Sequence, residues 1–214
     1  GTVILGGLVD GSWEYSFDGS EWNAGTGDRV VVQGDGVRTL FARQTDSAGE
    51  QSATTGFTFT LDTQSPATLG VSLQEDTSGS DSPSSNGVSS NGQVNFDLSA
   101  LEAGAVWEYS LDGTTWIAGS DATLVFEGDG VKTVSVRQTD VAGNVSDTSS
   151  LSFTLDSVVP SALGVSLAQD TGSDLTDGVT NNGQVDFDLS ALEENATWHY
   201  RINDADWTEG TDSS

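Results

Sequence analysis

Along most of the chain, apolar side chains take every second position in short runs, and each run ends at a stretch rich in Gly or Asp. A period of two puts successive side chains on opposite faces of an extended backbone, so each run predicts a strand with one buried face. Between residues 63 and 157 the apolar positions are Leu69, Val71 and Leu73, then Val94, Phe96 and Leu98, then Trp107, Tyr109 and Leu111. Leu124 and Phe126, Val134 and Val136, and Leu151, Phe153 and Leu155 follow. Asn95, Asp97, Glu108 and Ser110 fall on the outward faces. Glu127-Gly128-Asp129-Gly130 turns the chain, and Asp112-Gly113 predicts a two-residue turn that sets Tyr109 opposite Trp116 as an aromatic pair. No stretch sustains a helical period.

The pattern repeats. Trp13-Glu14-Tyr15-Ser16-Phe17-Asp18-Gly19 returns about 94 residues later as Trp107-Glu108-Tyr109-Ser110-Leu111-Asp112-Gly113, and again, degraded, as Trp198-His199-Tyr200-Arg201-Ile202-Asn203. Arg43-Gln44-Thr45-Asp46 matches Arg137-Gln138-Thr139-Asp140 in the same frame, and Pro66 matches Pro160. A repeat of that length can hold its own core. About seven short strands per repeat predict an all-β fold of tandem immunoglobulin-like β-sandwiches. The expected boundaries are 1–62, a domain lacking its first strand; 63–157, a complete domain; and 158–214, the front of a third. Because the first residues already read as a strand, the N-terminus is expected to be a cut through a longer protein. Trp107 takes the place of the core Trp, with burial alone to hold the sheets, since the chain has no Cys.

Charge narrows the function. With 33 Asp and Glu against 6 Lys and Arg, the net charge is -27, which excludes phosphate backbones and anionic lipid as partners. No apolar run is long enough to span a bilayer, and the first residues do not read as a charged-then-apolar leader. Most acids read as solvated surface. Others recur at loop ends, and in stacked sandwiches the bottom of one domain meets the top of the next. For the first junction the bottom group is Asp62 with Asp35, and the top group is Glu102, Asp140 and the Asn144 carbonyl. For the second, Asp156, Glu127 and Asp129, near Asp76 and Asp81, would face Glu193, Glu194 and Asn195. Carboxylates brought together repel unless a cation sits between them, and Ca2+ suits such flexible all-oxygen sites. The short linkers ending in Pro66 and Pro160 restrict hinge freedom further. A second candidate is the loop Asp170-Thr171-Gly172-Ser173-Asp174 to Asp177-Gly178, whose counterpart holds Asp76 and Asp81. It matches no strict EF-hand pattern, and the plainer reading of its acids is Asx-turns.

The stretches Glu102 to Gly113 and Arg137-Gln138-Thr139-Asp140-Val141-Ala142-Gly143-Asn144, with Asp170-Thr171-Gly172-Ser173 and Thr180-Asn181-Asn182-Gly183-Gln184-Val185, resemble the bacterial immunoglobulin-like repeats of very large secreted adhesins, of the repeats-in-toxin and biofilm-associated types. The resemblance covers essentially the whole chain. It implies extender repeats at the cell surface, stiffened by calcium at domain junctions, with neighbouring repeats as partners. Calcium ligation carries over to Asp62, Asp156 and Asp140, and less directly to Asp46, because Ser47-Ala48-Gly49-Glu50 has Glu where the second copy has Asn144.

Catalytic readings fare worse. Ser110 to Trp116 resembles the Asp-box hairpin of sialidases, one residue short, but six dispersed basic residues cannot build the Arg cluster such an enzyme needs. His199, the single histidine, replaces Glu14 and Glu108 at an outward strand position. No Gly-x-Ser-x-Gly elbow with a His partner occurs, and Gly34-Asp35-Gly36 and Gly128-Asp129-Gly130 are turns rather than phosphate cradles. The expected function is a non-enzymatic, calcium-stiffened spacer supporting adhesion or biofilm formation. The alternatives are a glycan- or protein-binding module, which would display exposed aromatics, and another extracellular spacer such as a phage fibre.

Overall fold

The computed structural model describes residues 1–8, 10–75, 87–193 and 196–211. It divides into two units, Gly1–Leu155 and Asp156–Ser214. Every regular element among the described residues is a strand.

Residues 1–61 form β1 (Thr2–Ile4), β2 (Gly11–Ser16), β3 (Asn23–Ala24), β4 (Arg29–Val31), β5 (Gly36–Asp46) and β6 (Thr55–Leu61). One antiparallel sheet has the order β3-β2-β5-β6, and β1 pairs with β4 opposite it. Val30, Val32 and Leu40 are buried between the two, with Val3, Leu5, Trp13, Tyr15, Phe59 and Leu61 packed around them.

Residues 70–75 and 87–155 form a two-sheet sandwich from β7 (Gly70–Leu73), β8 (Val88–Ser89), β9 (Gln93–Asp97), β10 (Val106–Ser110), β11 (Ile117–Ala118), β12 (Thr123–Val125), β13 (Gly130–Thr139) and β14 (Ser149–Leu155). The sheets have the orders β11-β10-β13-β14-β8 and β12-β9-β7. Sequence alternation anticipates all but β8, which runs parallel to β14 through Thr154↔Val88 and Leu155↔Ser89. The core joins Leu69, Val94, Phe96, Trp107, Val134, Val136, Phe153 and Leu155. Full burial of each large apolar side chain contributes roughly 1.5–3 kcal/mol, and this is what holds the two sheets together. None of the six described strands of residues 1–61 is the counterpart of β7. There a groove of about 820 Å3 lies open beside Val3, Leu5, Trp13, Leu40, Phe59 and Leu61.

One feature of the hairpin differs from expectation. Tyr109 lies opposite Ile117, not Trp116. The Asp112 carboxylate accepts from the backbone N–H of Thr114 (2.8 Å) and Thr115 (2.6 Å) and from the Ser110 hydroxyl. That side-chain cap widens the turn to residues 111–116 and delays the return strand, so Trp116 leaves the pairing register. The same cap recurs around Asp18, which accepts from Ser16, Ser20 and Glu21.

In the second unit, β15 (Gly164–Leu167) pairs with β16 (Val185–Asp188), and β17 (His199–Tyr200) with β18 (Thr208–Glu209). Trp198 is buried there against Phe187, ring centroids 4.7 Å apart. His199 is exposed.

Candidate functional site

The first junction is built on the linker after β6. Asp62 closes a local turn, its carboxylate accepting from the Gln64 N–H at 3.0 Å. Asp35, on the turn before β5, reaches the same linker: it accepts from the N–H (3.0 Å) and hydroxyl (2.9 Å) of Thr63 and from the Gln64 amide (3.2 Å). Asp35 thus holds the linker at Thr63 and Gln64, one and two residues beyond Asp62.

From the second repeat, the loop after β13 meets the linker. Asp140 is buried, at 8% exposure. One of its oxygens accepts from the N–H of Ala142 and Asn144, both at 2.8 Å, and the other from the Asn144 amide at 2.8 Å. The Asn144 amide also donates to the Asp62 main-chain carbonyl at 3.2 Å. The Asn144 carbonyl, anticipated as an inter-repeat ligand, instead accepts from the Asp140 N–H inside the loop. Glu102 enters through its N–H, which donates to the Gln138 side chain at 3.1 Å. Asp46 repeats the Asp140 arrangement in residues 1–61, accepting from Ala48 and Glu50.

Sequence reasoning passed over Gln138, which is fully buried. Its amide donates to the carbonyls of Ala67 (2.6 Å) and Ala100 (3.0 Å). The signal was present: Val134, Val136 and Gln138 share one face of β13, and Asp140, just past its end, is buried in the same alternation, so the inward pattern runs on into two polar residues.

In the second unit, Asp156 accepts from the Val158 N–H, the turn Asp62 makes. In the loop between β15 and β16, Asp174 accepts from the N–H and hydroxyl of Thr176, and Asp177 from the Val179 N–H. One Asp170 oxygen accepts from the Gly178 N–H at 3.1 Å. Its other oxygen is buried without a protein partner. Asp129 and Glu127 lie on the exposed turn before β13, and Glu193 is exposed. Asp76, Asp81, Glu194 and Asn195 lie outside the described residues. Among the described residues, no three acidic or histidine side chains converge as a ready-made metal cage.

Several of these carboxyls are held below the ordinary Asp value of 3.8: Asp140 by the Asn144 amide, Asp35 by the Thr63 hydroxyl and Asp174 by the Thr176 hydroxyl. Asp18 and Asp112 lie well below it, chiefly through the N–H groups of Glu21 and Thr115. The folded chain thus releases these protons more readily than the unfolded one. Their stabilisation is complete above the unfolded value and drains away as pH falls through the lower folded values. Thermal melts followed by circular dichroism should lose stability below about pH 4, and the double substitution Asp18→Asn, Asp112→Asn should flatten that loss. An acid transition of unchanged steepness in the double variant would refute this assignment.

Three of the six basic residues serve a different structure. Arg43 lies over the Trp22 ring at 3.7 Å, Arg137 over Trp116 at 3.8 Å and Arg201 near Trp207 at 4.9 Å. Arg43 and Arg137 also pair with Glu14 and Glu108. The second Trp of each repeat is therefore a surface residue, half-covered in the first two repeats and 62% exposed at Trp207. Each stack at an exposed site is worth about 0.5–1 kcal/mol. Their alternation with polar neighbours reads as that of core positions, but the widened turn carries them out to the surface.

No protein-family model matches the chain, and no curated protein matches it. Among solved structures it is similar to the fibronectin(III)-like modules of CbhA from Clostridium thermocellum, at 14% identity and a TM-score of 0.42, over 72% of this chain and 82% of that one. The assignment as an all-β chain of immunoglobulin-like sandwiches follows from the sheet order and core described above.

Proposed function

We propose that these are structural extender repeats of a bacterial cell-surface adhesin, secreted, non-enzymatic and stiffened by calcium, which hold a distal adhesive region away from the cell. The observation that carries the reading is the tethered linker. Asp35 grips it from one repeat and Asn144 and Gln138 grip it from the next, an arrangement that resists bending.

Calcium finds its best support in the loop of Asp170, Asp174 and Asp177. A buried carboxylate oxygen without a donor is costly, and a divalent cation would satisfy it. At the first junction, the Asp62 carbonyl and the Asp140 carboxylate both face the Asn144 amide, so a cation bound between them would displace that amide. The net charge of -27 adds a general demand for counter-ions.

Calorimetric titration with Ca2+ tests the proposal. Binding is expected, and calcium at 100 times its Kd should stabilise the folded chain by about 2.7 kcal/mol. Asp170→Ala should remove the loop's share. No heat of binding, together with identical melts in calcium and in chelator, would end the calcium reading while leaving the extender reading standing.

A glycan- or protein-binding role has one observation in its favour, the exposed Trp207 beside Tyr200 and Arg201 in an open groove. Glycan-array binding lost in Trp207→Ala would favour it.

A further inference from the structure

Two neutral side-chain amides bracket the linker between the first two repeats. Gln138, fully buried on β13, spends both N–H groups on Ala67 and Ala100 and its oxygen on Glu102. The downstream end of the linker is thereby fastened to the second sandwich beside the segment that follows β9. Asn144 takes the upstream end through the Asp62 carbonyl. Its amide is oriented beforehand by Asp140, whose carboxylate is in turn held by the loop's own N–H groups. Asp35 grips Thr63 and Gln64 from the first sandwich. The path from Asp62 to Ala67 is thus hydrogen-bonded to both neighbours.

We propose that Gln138 and Asn144 are positioning residues that set the angle between the first two sandwiches through a charge-neutral clamp that needs no cation. An amide suits the place. It donates to a carbonyl without adding charge to a surface already strongly negative, and it avoids burying an ion. The first repeat supplies a built-in comparison. It carries Glu50 at the position of Asn144, and a carboxylate cannot donate to a carbonyl. The Asp46 loop nonetheless folds with the same backbone bonds, so the loop tolerates Glu while the cross-linker bond does not.

Because the chain has no Cys, spin labels on Glu21→Cys and Thr114→Cys, both exposed, report the separation of the two sandwiches by pulsed dipolar spectroscopy. With wild-type side chains elsewhere, one narrow distance distribution is expected, the same in calcium and in EDTA. Asn144→Glu removes the amide that donates to both the Asp62 carbonyl and Asp140. It should broaden the distribution and raise the bent population about fivefold, the change expected from losing the one of these hydrogen bonds that crosses to the linker. Its circular-dichroism melt should fall, because Asp140 loses its amide donor, but remain a single cooperative transition, since the Asp46 loop folds with Glu at this position. Gln138→Glu, which keeps the shape but as a carboxylate loses both N–H donors to Ala67 and Ala100, should broaden the distribution too. A distribution that narrows only with calcium overturns the proposal in favour of a metal clamp. One that Asn144→Glu leaves unchanged overturns it outright. Both results leave the extender reading untouched, since that reading does not depend on which group fixes the angle.

Discussion

Truncation of Trp107 to alanine is expected to destabilise the sandwich of residues 63–155 by about 3–5 kcal/mol, the range for removing a large aromatic from a packed core. Trp107 is 7% exposed and lies with its ring centroid 5.0 Å from Phe96 and 6.3 Å from Tyr109. It spans the gap between the two sheets, since β10 and β9 belong to different ones. The chain has no Cys, so no disulfide shares the task. A domain this size has only about 5–15 kcal/mol of stability, so the loss is a large part of the whole and should lower Tm by on the order of 20 °C. Urea unfolding followed by far-ultraviolet circular dichroism measures it. A loss under about 1 kcal/mol would show that this ring does not anchor the sheets.

The second large effect is expected at Gly119, where the neighbouring ring leaves no room for a side chain. A Cβ there would fall well inside van der Waals distance of the Trp107 ring, and the backbone cannot retreat because the Gly119 N–H donates to the Trp107 carbonyl at 2.9 Å. Gly25 faces Trp13 and Gly210 faces Trp198 in the same way, so the Trp–Gly pair is a constant of all three repeats. Gly119→Ala should cost about 1–3 kcal/mol through overpacking. The test that isolates the cause is a double-mutant cycle. In the Trp107→Ala background the same substitution should cost much less, because the ring it strikes is gone. Equal costs in both backgrounds would mean that the glycine is needed for its backbone and not for the space it leaves.

Much of this could be read along the chain. The strands of residues 63–155 follow Leu69 to Leu73, Val94 to Leu98, Trp107 to Tyr109, Leu124 to Phe126, Val134 to Val136 and Leu151 to Leu155, and most of those apolar residues lie in or against the core. The acids singled out at loop ends do cap turns and linkers, as Asp35, Asp62, Asp140 and Asp156 do. What escaped was the identity of their partners. Topology alone brought carboxylates of neighbouring repeats to one seam. In the structure Asp140 is occupied by its own loop and an amide makes the crossing.

The division has a physical cause. Alternation, turn chemistry and repetition are local, and each depends on neighbours a few residues away, so the order of residues was enough to establish the strands, the core face and the tandem plan. The stacking of Arg137 over Trp116, the parallel contact of β8 with β14, and the reach of Gln138 to Ala67 depend on separations of 21 to 71 residues closed by folding. A side chain's hydrogen-bond partner across such a distance is selected by the packing of two sheets, and only the tertiary structure could choose it.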